Sequence, residues 1–254
     1  MATVSVDSIK KVFSTPTGPQ TVLDNISFEV ADQSFLSLVG PSGCGKTTLL
    51  NIISGIEKTT SGSVVMDQSG KEAKLAYVFQ EPRLLPWRSV FDNLMYVQAV
   101  RDDAARERVN SALDLVGLSS AAKKWPGQLS GGQQQRIGIA RAFSVEPDVL
   151  LMDEPFSHLD AITARGLRGY LQDLWSHTRK TVIFVTHDVS EAAELSDRIL
   201  MLAPGGRIHE DIEVPLPRPR RASDPEVAIL EASVLRRFED LEASIKYEAS
   251  QQLV

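Results

Sequence analysis

Cysteine is almost missing from this chain: its 254 residues include one, Cys44. A single thiol excludes an intrachain disulfide, and a reducing compartment is the simplest expectation. Long apolar runs are missing too. No stretch reaches the roughly 18 apolar residues a membrane-spanning helix needs, so the chain is not expected to cross a bilayer. Met1-Ala2-Thr3-Val4 has no basic segment followed by an apolar core, and no signal peptide is expected. There is no excess of basic charge: 27 Lys and Arg against 33 Asp and Glu leave a net −6. That balance argues against sequence-independent binding to nucleic acid, and no nucleic-acid partner is expected. Internal repeats and low-complexity tracts are absent. The hydrophobic share is 43%, enough for one large α/β domain or two small lobes.

The most informative stretch is Gly40-Pro41-Ser42-Gly43-Cys44-Gly45-Lys46-Thr47. It fits G-x-x-x-x-G-K-[ST], the phosphate-binding P-loop. Phe35–Val39 before it reads as a short buried strand, and Leu49–Ile53 after it as a helix. The glycines let backbone amides approach a polyphosphate, and the helix start adds unpaired N–H groups and a positive dipole end. In this motif Lys46 reaches the β- and γ-phosphates, and the Thr47 hydroxyl ligates Mg²⁺.

Strands are expected at Thr3–Phe13, Thr21–Val30, Val64–Met66, Leu75–Phe79, Val149–Met152 and Thr181–Val185, with a closing pair at Arg198–Leu202 and Gly206–Ile212. The texture changes after Glu81. Helices are expected over Val90–Val100 and Asp103–Val116, with breakers at Gly117 and Lys123–Gly127. A helical lobe from Arg83 to about Phe143 is therefore expected between core strands. Further helices are expected over Ala161–His177 and Ser190–Leu195. A proline-rich linker, Pro215–Pro219, leads to a last helix with Val227, Leu230, Val234, Phe238 and Leu241 on one face. That face implies packing back on the domain.

Two further motifs carry chemistry. Asp153-Glu154 follows an apolar strand, the placement of a nucleotide site in an open α/β sheet. Asp153 suits the Mg²⁺ coordination sphere and Glu154 the polarisation of water attacking the γ-phosphate. Leu129-Ser130-Gly131-Gly132-Gln133 opens a helix, and Ser130 with the glycine amides forms a second anion site. The two cradles could face different ligands, or two copies of the chain could share each nucleotide.

Gly40–Thr47, Gln80, Leu129–Gln133, Asp153-Glu154, Ser157-His158-Leu159-Asp160 and His187 resemble, in order and spacing, the motifs of ABC-type ATPases. The resemblance covers about residues 3–212. It implies an α/β P-loop NTPase core with an antiparallel β subdomain and an inserted α-helical subdomain at about 83–143. Residues 213–254 would follow as linker and amphipathic helix. It also implies a head-to-tail dimer with two ATPs, each between the P-loop of one copy and Leu129–Gln133 of the other. Carried over residue by residue, the ATP contacts are Phe13, Gly40–Thr47, Thr48 and Gln80, with Leu129, Ser130, Gly131, Gly132, Gln133 and Asp160 acting across the dimer. Gln80 joins Thr47 and Asp153 at Mg²⁺. Glu154, His187 and Lys46 are the catalytic set, with His187 on the γ-phosphate. Phe13 takes the place of the aromatic that stacks on adenine, more often tyrosine; ordinary strand packing is the alternative. His158 departs from the family's usual alanine.

One cassette without a long coiled-coil insertion fits a transporter subunit. Glu81-Pro82-Arg83-Leu84-Leu85-Pro86-Trp87-Arg88, with Phe156 and the proline-rich tail, resembles the nitrate, sulfonate and taurine importer branch. Arg83, Leu84, Leu85 and Trp87 are then expected to dock a membrane permease, a buried loop corner being the alternative. The resemblance implies a separate solute-binding protein and a peripheral position on the cytoplasmic face of the inner membrane. A different ABC transport system, importer or exporter, stays open, with a non-transport ABC ATPase behind it. Cys44, inside the phosphate loop, is expected to have a favoured thiolate and to react with maleimide; inward packing as a small hydrophobe is the alternative.

Overall fold

A long hairpin opens the chain: β1 (Ala2–Thr15) and β2 (Gly18–Val30) pair antiparallel around a two-residue turn at Pro16-Thr17. The computed structural model describes residues 2–251, so the end of the expected C-terminal segment, residues 252–254, lies outside the described residues. β1 shifts register near Ile9 and Lys11, where bulges break the ladder. Its other edge pairs with β4 (Ser61–Gln68), which carries the short β5 (Lys71–Glu72), giving a four-stranded antiparallel sheet in the order β2-β1-β4-β5. Val4, Val6, Ile9, Leu23, Ile26 and Phe28 are buried beneath it.

β3 (Phe35–Val39) lies between β2 and β4 in the chain but joins a different sheet, and all five of its residues are buried. It pairs in parallel with β8 (Thr181–Val185) on one edge and β9 (Arg198–Ala203) on the other; β10 (Arg207–Glu213) closes antiparallel on β9. Parallel strands covered on both faces need near-continuous apolar sequence, which Phe35–Val39 and Thr181–Val185 provide. α1 (Lys46–Ile53) follows β3, and α6 (Val189–Leu195) follows β8. α7 (Pro225–Gln251) packs back as its spacing implies: Val234 and Leu241 are buried with Val39, Val189, Ile199 and Met201, flanked by Leu230 and Phe238. These elements form one unit, built from residues up to Glu72 and from Thr181 onward.

The second unit, Ala73–Lys180, holds the parallel pair β6 (Leu75–Val78) and β7 (Val149–Asp153). Between them run α2 (Val90–Tyr96), α3 (Asp103–Leu115) and α4 (Gly131–Phe143), and α5 (Ala161–Thr178) follows β7. The expected 83–143 lobe lies within this unit, which also takes in β6, β7 and α5. Val90, Leu94, Val109, Leu113 and Ile137 form its helical core. Side-chain caps set the helix starts: Ser89 accepts from Asp92 N on α2, and Asp102 from Ala105 N on α3. The helix expected to reach Val100 stops at Tyr96. Just beyond, the Gln98 side chain turns inward and donates to the Ser144 carbonyl at 3.2 Å and hydroxyl at 3.0 Å.

Candidate functional site

In the first unit, the 40–45 loop joins buried β3 to α1. Gly45 sits at φ 101° as the residue before α1, a left-handed turn that favours glycine. The start of α1 has no side-chain cap and no acidic residue in its first turn. The N-cap residue is Gly45, and the positive dipole end of the helix lies at the loop, which suits a phosphate. Lys46 is buried, and its Nζ donates to the Gly40 carbonyl at 2.7 Å and the Pro41 carbonyl at 3.1 Å. Ser42, Gly43 and Thr47 are exposed and Thr48 is half-buried.

Cys44 differs from the expectation of a favoured thiolate. It is 1% exposed. Burial pushes the thiol above its ordinary value, against the opposing pull of the Lys46 ammonium. The Lys46 charge and helix end that motivated the expectation are present, but desolvation outweighs them. The thiol is packed as a small hydrophobe.

His187 is exposed in the turn between β8 and α6. That turn is pinned on both sides of the imidazole. The buried Thr186 hydroxyl donates to Glu191 Oε2 at 2.6 Å and accepts from Asp188 N at 3.0 Å. Asp188 caps α6 by accepting from Ser190 N at 2.8 Å. Glu191 escapes sequence reasoning because an acidic residue in a short helix looks like solvent-facing surface. Phe13, on β1, is half-buried.

In the second unit, Asp153 ends β7 and is 7% exposed. On parallel β6, the Tyr77 hydroxyl donates to Asp153 Oδ2 at 3.4 Å. Burial pushes the Tyr77 phenol well above its ordinary value and the Asp153 charge adds to the shift, so it stays a neutral donor. Glu154 is half-buried and holds φ 42°, a strained conformation for a residue with a side chain. Its carbonyl accepts from Ser157 Oγ at 3.0 Å and Ser157 N at 3.3 Å. Gln80 is exposed and donates through Nε2 to Ser157 Oγ at 3.1 Å, so Ser157 joins Gln80 to the turn that carries Glu154.

Ser130 begins α4 in a capping box: its hydroxyl accepts from Gln133 N at 3.3 Å, and Gln133 Oε1 accepts from Ser130 N at 3.1 Å. Leu129 anchors the preceding turn in the helical core. Gly132 lies against α5: a Cβ there would meet Thr163 Cγ2 at 2.5 Å. Asp160 caps α5 by accepting from Thr163 N at 3.0 Å, and the bonds to Thr163 hold its carboxyl below the ordinary value. Asp160 and His158 are both exposed.

The 82–88 loop is braced from within. Asn93 is 1% exposed on α2. Its Oδ1 accepts from Leu85 N at 2.7 Å, and its Nδ2 lies within donating distance of the Leu85, Arg88 and Ser89 carbonyls at 3.2, 3.2 and 2.9 Å. Arg141 of α4 donates to the Pro82 and Arg83 carbonyls. Leu84 packs on the helical core, Leu85 is half-buried, Arg83 is exposed, and Trp87 is 68% exposed. The loop is held by these backbone contacts while the Trp87 indole faces outward.

A P-loop on a parallel sheet, a strand-end Asp-Glu and a separately capped Leu-Ser-Gly-Gly-Gln helix define an ATP-binding cassette. The ABC transporter family matches residues 23–157, and the chain belongs to it. It is 40% identical over 241 residues to the aliphatic sulfonates import ATP-binding protein SsuB of Bacillus cereus, covering 93% of this chain and 96% of that one. It is 42% identical over 252 residues to the nitrate import ATP-binding protein NrtD of Synechococcus elongatus, covering 91% of each. Among solved structures, the cassette MJ0796, dimeric in a post-hydrolysis state bound to ADP and Pi, aligns with a TM-score of 0.72 and 30% identity, covering 83% of this chain and 98% of that one.

Proposed function

We propose that this chain is the ATP-hydrolysing subunit of an ABC importer that powers uptake of a small anionic or polar solute, such as nitrate, a sulfonate or taurine, through a separate membrane permease. One observation carries it: the helix start after the glycine-rich loop Gly40–Gly45 and a second one at Ser130–Gln133 stand in the same chain. Two copies packed head to tail put each ATP between the P-loop of one and Leu129–Gln133 of the other, with Asp160 at the seam. The sulfonate and nitrate import relatives and the dimeric ADP-bound cassette support that arrangement.

Within it, Gly40–Thr48 bind the triphosphate, Lys46 neutralises the β- and γ-phosphates, and Phe13 stacks on adenine. Glu154 accepts the proton of the attacking water, Gln80 orients that water, and His187 contacts the γ-phosphate. Among the described residues, no cluster of three or more His, Cys, Asp or Glu could hold a metal. Mg²⁺ is a hard cation that takes oxygen ligands and completes its sphere with water and phosphate. Thr47, Asp153 and Gln80 would hold it, and when bound it spreads the charge that develops on the phosphates. Arg83, Leu84, Leu85 and Trp87 dock the permease at the cytoplasmic face of the membrane, and a solute-binding protein delivers the cargo from the other side.

Reconstitution with the permease and binding protein in liposomes tests this. Enclosed MgATP should drive accumulation of an alkanesulfonate, taurine or nitrate, and Lys46→Met should abolish it. ATP hydrolysis without accumulation of any of these three would contradict the importer assignment.

A further inference from the structure

Lys11 is the one lysine of the first strand that turns inward. It lies at the β1 bulge, and its side chain is 11% exposed. The ammonium has three neighbours. Nζ donates to Glu57 Oε1 at 2.7 Å and to the Lys58 carbonyl at 2.7 Å, and it lies 4.5 Å from the centroid of the Phe13 ring. Lys10, next to it, pairs instead with Asp24 at 3.2 Å. A surface lysine spends its charge in water; Lys11 is instead tethered at two points with its charge against an aromatic face.

We infer that Lys11 is a positioning residue for adenine recognition, holding Phe13 from behind and tuning its ring for stacking. This rests on the proposed adenine contact of Phe13. With one face taken by the ammonium, a base can stack only on the other. The Glu57 and Lys58 tethers fix the cation, and the cation restrains the ring, so less side-chain freedom is lost when the base arrives. A cation on one face also draws π density toward itself. The opposite face becomes electron-poor, the better partner for an electron-rich purine. The Lys11 ammonium is engaged by Glu57, Lys58 and the Phe13 ring, so its effect should appear in adenine affinity and not in phosphate affinity.

Calorimetric titration of the full chain with MgATP and with magnesium tripolyphosphate, which has no base, separates the two. Lys11→Met should weaken MgATP binding by about fivefold and leave tripolyphosphate affinity unchanged. Lys11→Arg should keep most of the MgATP affinity. In a Phe13→Leu background, Lys11→Met should cause no further loss. If Lys11→Met fails to fold, Lys11→Gln keeps a donor for the Lys58 carbonyl while removing the charge. Equal weakening of MgATP and tripolyphosphate, or a loss that persists without Phe13, would overturn the assignment. Full MgATP affinity in Phe13→Leu alone would remove both the adenine role of Phe13 and the role of Lys11. The P-loop reading is checked separately by the loss of tripolyphosphate binding in Lys46→Met.

Discussion

Asn93 holds Leu85 by both its backbone polar groups: the Asn93 amide oxygen takes the Leu85 N–H at 2.7 Å and its amide nitrogen lies 3.2 Å from the Leu85 carbonyl. The same nitrogen lies within reach of Arg88 and Ser89, so one buried side chain shapes the whole loop ahead of α2. Asn93→Ala leaves those backbone groups without their partner, and the loss should be about 2–4 kcal/mol of unfolding free energy. Urea denaturation measures it. A change below about 0.5 kcal/mol, the range of ordinary surface substitutions, would mean that water replaces Asn93 without cost.

Trp87 stands at the other extreme of the same loop. Exposed at 68%, it contributes little to the fold. Trp87→Glu should leave the urea midpoint and MgATP affinity unchanged while abolishing stimulation of ATPase activity by the permease. Placing a charge in an apolar contact costs several kcal/mol unless it is paired. Loss of stability in the isolated subunit would instead make the indole part of the core.

Much of this loop's composition was legible in the sequence, but not its brace. Leu84, Leu85 and Trp87 announce themselves as apolar residues between prolines, whereas Asn93 reads as one more polar position on a helix. The same division runs through the chain. Phe35–Val39 was legible as a buried strand and Thr181–Val185 as a strand because their apolar character is local; their parallel pairing with each other was not. Tyr77 beside Asp153 and Lys11 beside Glu57 depend on partners 76 and 46 residues away, and no local pattern records such pairing. Ser130 was legible as the start of a helix because an N-cap and the residues it precedes are adjacent in the chain; its reciprocal bond with Gln133 was not read. Cys44 was misjudged because the charges around it are visible in the sequence and its burial is not.

Cys44 has an alkaline consequence. Its proton is held more tightly in the folded chain than in the unfolded one, whose thiol titrates at the ordinary value of 9.0. Its contribution to stability is therefore fully present below pH 9 and declines as pH rises beyond that value. Cys44→Ala should unfold with a shallower dependence on pH above 9 than the wild type in urea titrations. The native thiol should also label with maleimide far more slowly than the denatured one. Parallel alkaline limbs, or native labelling at the denatured rate, would contradict the buried, protonated thiol.

The shared-nucleotide dimer is tested most directly by the mass of Glu154→Gln in MgATP. The substitution removes the carboxylate assigned to accept the water's proton and keeps the side chain's size, so ATP should bind without being turned over. Light scattering should then report twice the monomer mass with MgATP and the monomer mass once nucleotide is removed. A Glu154→Gln chain that stays monomeric at saturating MgATP, or hydrolyses it at the wild-type rate, would contradict the assignment.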